Sequence, residues 1–195
     1  RGCGTPIGQR RLIGMAPDSA TDSDRDATQN NGPARMTFRP EFFKGLAVAA
    51  AVIIVDQISK WWILGFVMQP PQVIPLTPFF NLVLGWNRGI SFGFLDSGGW
   101  LSAWFLPLAA VAISAVLAVW LYRVRHLRAA VSIGLIIGGA MGNLIDRLQF
   151  GAVADFLDFY AWGHHWPAFN AADSAITVGA VVLILDSLFV KDETP

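Results

Sequence analysis

The chain has 195 residues, 54% hydrophobic and only 14% charged, against about 25% charged in a typical soluble domain, so it lacks the polar surface a water-soluble fold needs. Its 14 Lys and Arg balance 14 Asp and Glu to a formal net charge of zero, which excludes the basic stripe of a nucleic-acid binder. One cysteine, Cys3, excludes a disulfide framework or a CxxC metal site.

In chain order, residues 1–40 are rich in Arg, Asp, Gly and Pro without apolar periodicity, and are expected to be a disordered extension. They lack the apolar core of a signal peptide, and translation from Met36 is an alternative start. Residues 41–195 are expected to form one membrane-embedded domain. Its apolar runs, Phe43 to Val67, Leu101 to Tyr122, Ala129 to Leu148 and Ala172 to Val190, each approach the roughly 20 residues that cross a bilayer. The segment between the first two is broken by Pro and Gly, and its β-branched and aromatic alternation predicts short strands on the membrane surface. Gln149 to Ala171 reads as a shorter loop. The fold class is therefore an all-α membrane protein, a four-helix bundle with a small amount of outer β-structure.

Arg35, Arg39 and Lys44 precede the first run, Arg123, Arg125 and Arg128 crowd the turn between the second and third, and Lys191 follows the fourth. Such cations mark the cytoplasmic side, so both termini are expected there and the two longer connections outside. In the third run Gly134, Gly138 and Gly142 recur every four residues, a bare stripe that admits a close neighbour. Asp146 continues the stripe, Asn143 and Arg147 share an adjacent face, and the stripe is expected to bring the third and fourth spans together.

Ionisable groups in or beside hydrocarbon are functional hypotheses by default. They gather at the outer ends of the spans: Asp56 and Lys60, Asn87 and Arg88, Asn143, Asp146 and Arg147, then Asp155, Asn170 and Asp173. Asp155 in GAVADFLDF and Asp173 in FNAADSAITVG carry most weight, because contact between spans three and four would bring both to one point. Carboxylates about 3 Å apart share a proton, the chemistry of aspartic proteases. Asp173 falls in the first turn of its helix with Asn170 as N-cap, so Asp173 is expected to hold the charge and Asp155 the proton, within a pair that titrates as a unit. Asp158 is expected to face solvent. Asp56 with Lys60 reads as a structural ion pair and Asp146 as an interhelical hydrogen-bonding partner. Arg147 would orient substrate carbonyls or neutralise the region around the dyad, with Asn143 donating or accepting beside it. Asn87 and Arg88 read either as substrate-positioning groups or as turn residues.

Other classes are weaker. His164, His165 and Ser174 hint at a serine hydrolase, but no Gly-x-Ser-x-Gly elbow surrounds Ser174, and there is no HExxH zinc motif. A proton-coupled transporter would place its carboxylates at the midplane between repeats, and no repeat is evident. An assembly protein would need no paired aspartates.

The segments DQISK (Asp56 to Lys60), FFNLVLGWNRGISFG (Phe79 to Gly93), GGAMGNLIDRLQFGAVADF (Gly138 to Phe156) and FNAADSAI (Phe169 to Ile176) together resemble the lipoprotein signal peptidases, the type II signal peptidases of bacteria. The resemblance runs from Val48 to Leu188. It implies an inner-membrane four-helix bundle with a small outer β-sheet cradle after Met68, and an endopeptidase that cuts prolipoproteins on the amino side of a diacylglyceryl-modified cysteine. The family's catalytic aspartates fall on Asp155 and Asp173. Its other polar motif residues fall on Asp56, Lys60, Asn87, Asn143, Asp146, Arg147 and Asn170. No cofactor or metal is expected. The expected partners are lipid-modified prolipoproteins and membrane lipids, with no nucleic acid, and the enzyme is expected to act as a monomer near the outer face.

Overall fold

The computed structural model of the chain describes residues 39–89 and 100–189. Cys3, Met36, Lys191 and all of the expected extension except Arg39 and Pro40 lie outside them, as does the end of the NRGISFG motif. Pro40 starts helix α1 (Pro40–Trp62), where its missing N–H costs nothing, and a π-helical turn, Ile63–Val67, continues it. Strands β1 (Ile74–Thr77) and β2 (Phe80–Asn87) follow, then α2 (Trp100–Arg123), α3 (Leu127–Phe150), β3 (Val153–Ala161), β4 (His164–His165) and α4 (Ala171–Phe189). Four of the described helices are long and apolar enough to cross a membrane. Their outward residues, Ile54, Val55 and Ile58 on α1 or Leu108 and Val116 on α2, are large, apolar and exposed, as lipid-facing positions must be.

α3 is the central helix: 61% of its most apolar stretch is buried inside the protein, against 11–17% for the other three. The glycine stripe explains part of this, but not with the expected neighbour. Gly134 lies against the carbonyl of Gly45, and a side chain at Gly138 would come within 2.7 Å of the Ala49 carbonyl. The stripe therefore seats α1. α4 is received by the next face, where Gly139 abuts the Ala172 carbonyl, and Gly179 of α4 returns the fit against the Ser132 carbonyl. One residue is about 100° of helix rotation, so Gly138 and Gly139 serve two different neighbours.

Gln149 to Ala171 is not a loop. α3 ends at Gly151, whose φ of 70° gives the left-handed cap with its N–H on the Arg147 carbonyl at 3.0 Å, and the chain turns into β3. The strand order is β1-β2-β3-β4, antiparallel throughout. Val153, Ala154, Asp155 and Phe156 are all buried, so the start of β3 lacks the apolar–polar alternation that marks a half-exposed strand. Phe156 packs with Ile63 and Met68, fastening the sheet to the end of α1. Asp155 thus sits on a strand rooted in the bundle.

Candidate active site

The polar side chains form two layers where α1, α3, β3 and α4 meet. In the lower layer Gly142 is decisive, because a side chain there would come within 2.6 Å of Asp56 Oδ2. Lys60 Nζ reaches Asp56 Oδ2 at 2.8 Å and Asp146 Oδ2 at 2.9 Å. Asp56, Lys60 and Asp146 are buried at 0, 3 and 1% exposure, and charges so placed persist only when paired and hydrogen-bonded. The pairing is complete: Asp56 Oδ1 accepts the Ala172 N–H at 3.0 Å, Asp146 Oδ2 accepts the Ala154 N–H at 3.1 Å, and Gln57 Nε2 donates to Asp146 Oδ1 at 3.0 Å. One cluster therefore ties α1 and α3 to the starts of β3 and α4.

The upper layer is held by neutral amides. Asn143 Nδ2 donates to Asp173 Oδ1 at 2.7 Å, while Asn170 Nδ2 donates to Asp155 Oδ1 at 2.7 Å and to Asn143 Oδ1 at 3.1 Å. Asn170 caps α4 as expected, its Oδ1 accepting the Asp173 N–H at 3.0 Å, and Asp173 Oδ2 returns the contact by accepting the Asn170 N–H at 3.2 Å. This reciprocal capping box fixes Asp173 in the first turn. Asp155 is buried at 3% exposure. Burial pushes its carboxyl up to about 6, with the nearby Asp173 charge adding to the rise against opposing hydrogen bonds from Asn87 and Asn170. That value allows protonation changes near neutral pH.

Arg147 borders the upper layer with its charge facing Asp173, Asp155 and Asp146. Its Nη1 makes only a 3.4 Å contact to the Asn143 carbonyl, and its buried Nε has no partner among the described residues. Asn87 takes the turn role, its Oδ1 accepting the Gly89 N–H at 2.8 Å, and its side chain also lies against Asp155. Arg88 is exposed at the end of β2 and makes no hydrogen bond or ion pair among the described residues. Gln57 belongs to the lower layer, although its only signal in the sequence is its position beside Asp56.

Asp158 departs from expectation. It is 5% exposed, accepts from Asn81 Nδ2 at 3.0 Å and pairs with His165 Nδ1 at 2.9 Å. An odd offset on a strand reverses the face, so Asp158 points away from Asp155 and under the β3–β4 hairpin. Desolvation raises its carboxyl, but the hydrogen bonds from Asn81 and His165 and the charge of His165 together outweigh it and hold the group below the usual range. His164 and His165 line an aromatic cavity of about 470 Å³ with Phe79, Phe159, Trp162 and Trp166. Ser174 Oγ donates to the Asn170 carbonyl at 3.0 Å, a local helix bond, and neither histidine pairs with it. Among the described residues no group of three or more His, Cys, Asp or Glu is arranged to hold a metal ion.

A family model described as signal peptidase (SPase) II matches residues 48–189. The lipoprotein signal peptidase of Cupriavidus necator is 45% identical over 168 residues, 85% of this chain and 93% of that protein. That of Burkholderia thailandensis is 47% identical over 144 residues, 73% of this chain and 86% of its own length. A bacterial membrane enzyme solved by the in meso method at 1.9 Å has a TM-score of 0.68 at 30% identity, covering 76% of this chain and 95% of its own. A second such structure, at 2.3 Å, gives 0.65 at 29% identity, with 78% and 94% covered.

Proposed function

The chain belongs to the signal peptidase II family, and from that premise we propose that it removes the signal peptide from diacylglyceryl-modified prolipoproteins, cutting on the amino side of the lipidated cysteine with Asp155 and Asp173 as an aspartic dyad. The observation that carries this reading is the connected pair of amides, in which Asn143 and Asn170 hydrogen-bond each other at 3.1 Å and each donates to one of the two carboxylates at 2.7 Å. Neutral amides tolerate either protonation state of a carboxyl, whereas an ammonium at contact locks the charged one.

Asp173, at the positive end of α4, takes a proton from water as the water oxygen attacks the scissile carbonyl carbon. Asp155, which burial keeps protonated up to about pH 6, hydrogen-bonds the carbonyl oxygen as charge develops there. The tetrahedral intermediate collapses with cleavage of the C–N bond, and the leaving amine takes its proton from the dyad. Arg147, whose Nε has no partner among the described residues, is the donor proposed for a substrate carbonyl, and Asn87 lies against Asp155 from the sheet side. The acyl chains stay in lipid beside the bundle, because drawing them into water costs about 0.8 kcal/mol per CH₂.

Arg123, Arg125 and Arg128 lie at the α2–α3 turn, the end of α3 opposite the dyad. The positive-inside rule then puts the dyad near the outer face and both termini in the cytoplasm of a multi-pass bacterial membrane protein. The reading takes the enzyme to act as a monomer, with α1 of the peptidase domain starting at Pro40. The test is cleavage of a diacylglyceryl-modified precursor against its unmodified form, by the wild type and by Asp155→Asn and Asp173→Asn. Cleavage of the modified form by the wild type alone is expected. Retained cleavage in both variants, with the proteins inserted, sinks the dyad.

A further inference from the structure

The amides between the two layers have one orientation that satisfies their neighbours. Lys60 Nζ donates to Asn143 Oδ1 at 3.0 Å, and an ammonium has no lone pair with which to accept. Asn143 therefore turns its oxygen to Lys60 and its Nδ2 to Asp173. Asn170 Nδ2 also donates to Asn143 Oδ1, at 3.1 Å, but its two hydrogens are shared with Asp155 Oδ1 at 2.7 Å and the Ala154 carbonyl at 3.3 Å. The Asn170 amide is held in turn by its Oδ1 on the Asp173 N–H at 3.0 Å, and its donors are divided among three acceptors. Lys60 cannot reverse its role, and the carboxylates of Asp56 and Asp146, at 2.8 and 2.9 Å, keep it from swinging away.

We infer that Lys60 is a positioning residue of the peptidase: acting through Asn143, it keeps an N–H donor on Asp173 and so makes Asp173 the member of the dyad that carries the charge. The inference rests on the dyad reading. Among the described residues, the charged groups around Asp173 are Asp155 from β3 and Arg147 from α3, with Asp56 and Lys60 of α1 and Asp146 of α3 one layer below. Without Lys60 only the shared donor of Asn170 still faces Asn143 Oδ1, so the Asn143 amide is freer to turn over and present its oxygen to Asp173, an arrangement that suits the protonated acid and removes the base.

The experiment is the pH dependence of kcat/KM for cleavage of a diacylglyceryl-modified precursor by the full chain. Lys60→Met, and the double variant Lys60→Met/Asp56→Asn that preserves the net charge of the cluster, are expected to move the acidic limb upward by about one pH unit, a tenfold loss of ionised base at a given pH. Asn143→Leu is expected to move the limb in the same direction, and Lys60→Met to add no further shift in that background, because the effect travels through the amide. An unmoved limb in an inserted Lys60 variant overturns the inference, and so does an equal further shift without Asn143. If neither Lys60 variant inserts, the wild type decides: the side-chain ¹⁵N resonance of Asn143 must titrate along the acidic limb, and a pH-invariant resonance overturns the proposal. Failure of the dyad itself shows separately, as cleavage retained in Asp173→Asn.

Discussion

Two pairs of carboxylates lie in adjoining layers of this protein, linked through Lys60 and Asn143, and are held in opposite ways. Asp56 and Asp146 share the ammonium of Lys60 at 2.8 and 2.9 Å, and each also accepts a backbone N–H from a neighbouring element. Asp155 and Asp173 receive their side-chain hydrogen bonds from amides. A carboxylate locked to a buried cation loses that pairing on protonation, and the cation is left uncompensated. A carboxyl held by amides keeps its donors in the charged form and loses little in the neutral one. The first arrangement suits a structural ion cluster, the second the pair proposed to exchange a proton with water and substrate.

That contrast predicts a division between stability and activity. The largest expected effect is on catalysis: Asp155→Asn or Asp173→Asn loses on the order of 10⁴-fold in cleavage rate while the protein still inserts. Asp146→Ala should do the reverse, costing about 3–5 kcal/mol of stability through the broken buried pair, as read by thermal unfolding in detergent. If Asp146→Ala melts with the wild type, the two layers do not differ as described. Next in size, Gly134→Ala forces a methyl against the Gly45 carbonyl, whereas Gly65→Ala meets nothing within 4 Å. About 1–3 kcal/mol is expected for the first and a near-neutral result for the second, and equal melting temperatures would mean that α1 is not seated by the stripe.

A smaller effect tests Asp155 alone. Its carboxyl is raised from 3.8 to about 6, so the folded state keeps a proton that the unfolded chain releases, and wild-type stability falls as pH rises through that window. Asp155→Asn removes the penalty. Its melting temperature relative to wild type should therefore rise between about pH 4 and pH 8, by the equivalent of up to about 3 kcal/mol. A difference constant with pH would show that burial does not perturb this carboxyl.

Hydropathy made the four helices legible, because the bilayer demands long apolar runs, and the same medium made the polar residues conspicuous. Asn170 as N-cap could be read from local chemistry alone. What the sequence hid was direction. Gly138 and Gly139 are adjacent glycines, and no pattern in the chain tells which helix each receives. β3 gives no strand signal in the sequence because its first residues are buried on both faces and do not alternate. The Lys60 cluster shows the same limit: Asp56 and Lys60 announce a pair by spacing, but Asp146, Gln57 and the Ala172 N–H join it only through the fold.

Asp158 gives the smallest and most discriminating comparison, since it is the same residue type as Asp155, three positions along the same strand. One carboxyl is raised by burial, and the other is lowered by the hydrogen bonds of Asn81 and His165. For Asp158 the sign of the linkage is opposite: its contribution is present above the usual carboxylate range and is lost as pH falls through its depressed value. Asp158→Asn should cost about 0.5–1.5 kcal/mol near neutral pH, a difference that closes in acid, while cleavage stays largely intact. His165→Ala should behave similarly, because it removes a clamp on the β3–β4 hairpin and no reacting group. A collapse of cleavage in His165→Ala with the protein still inserted would mean that the two faces of β3 are coupled in the chemistry. The outer hairpin would then belong to the active site rather than to its support.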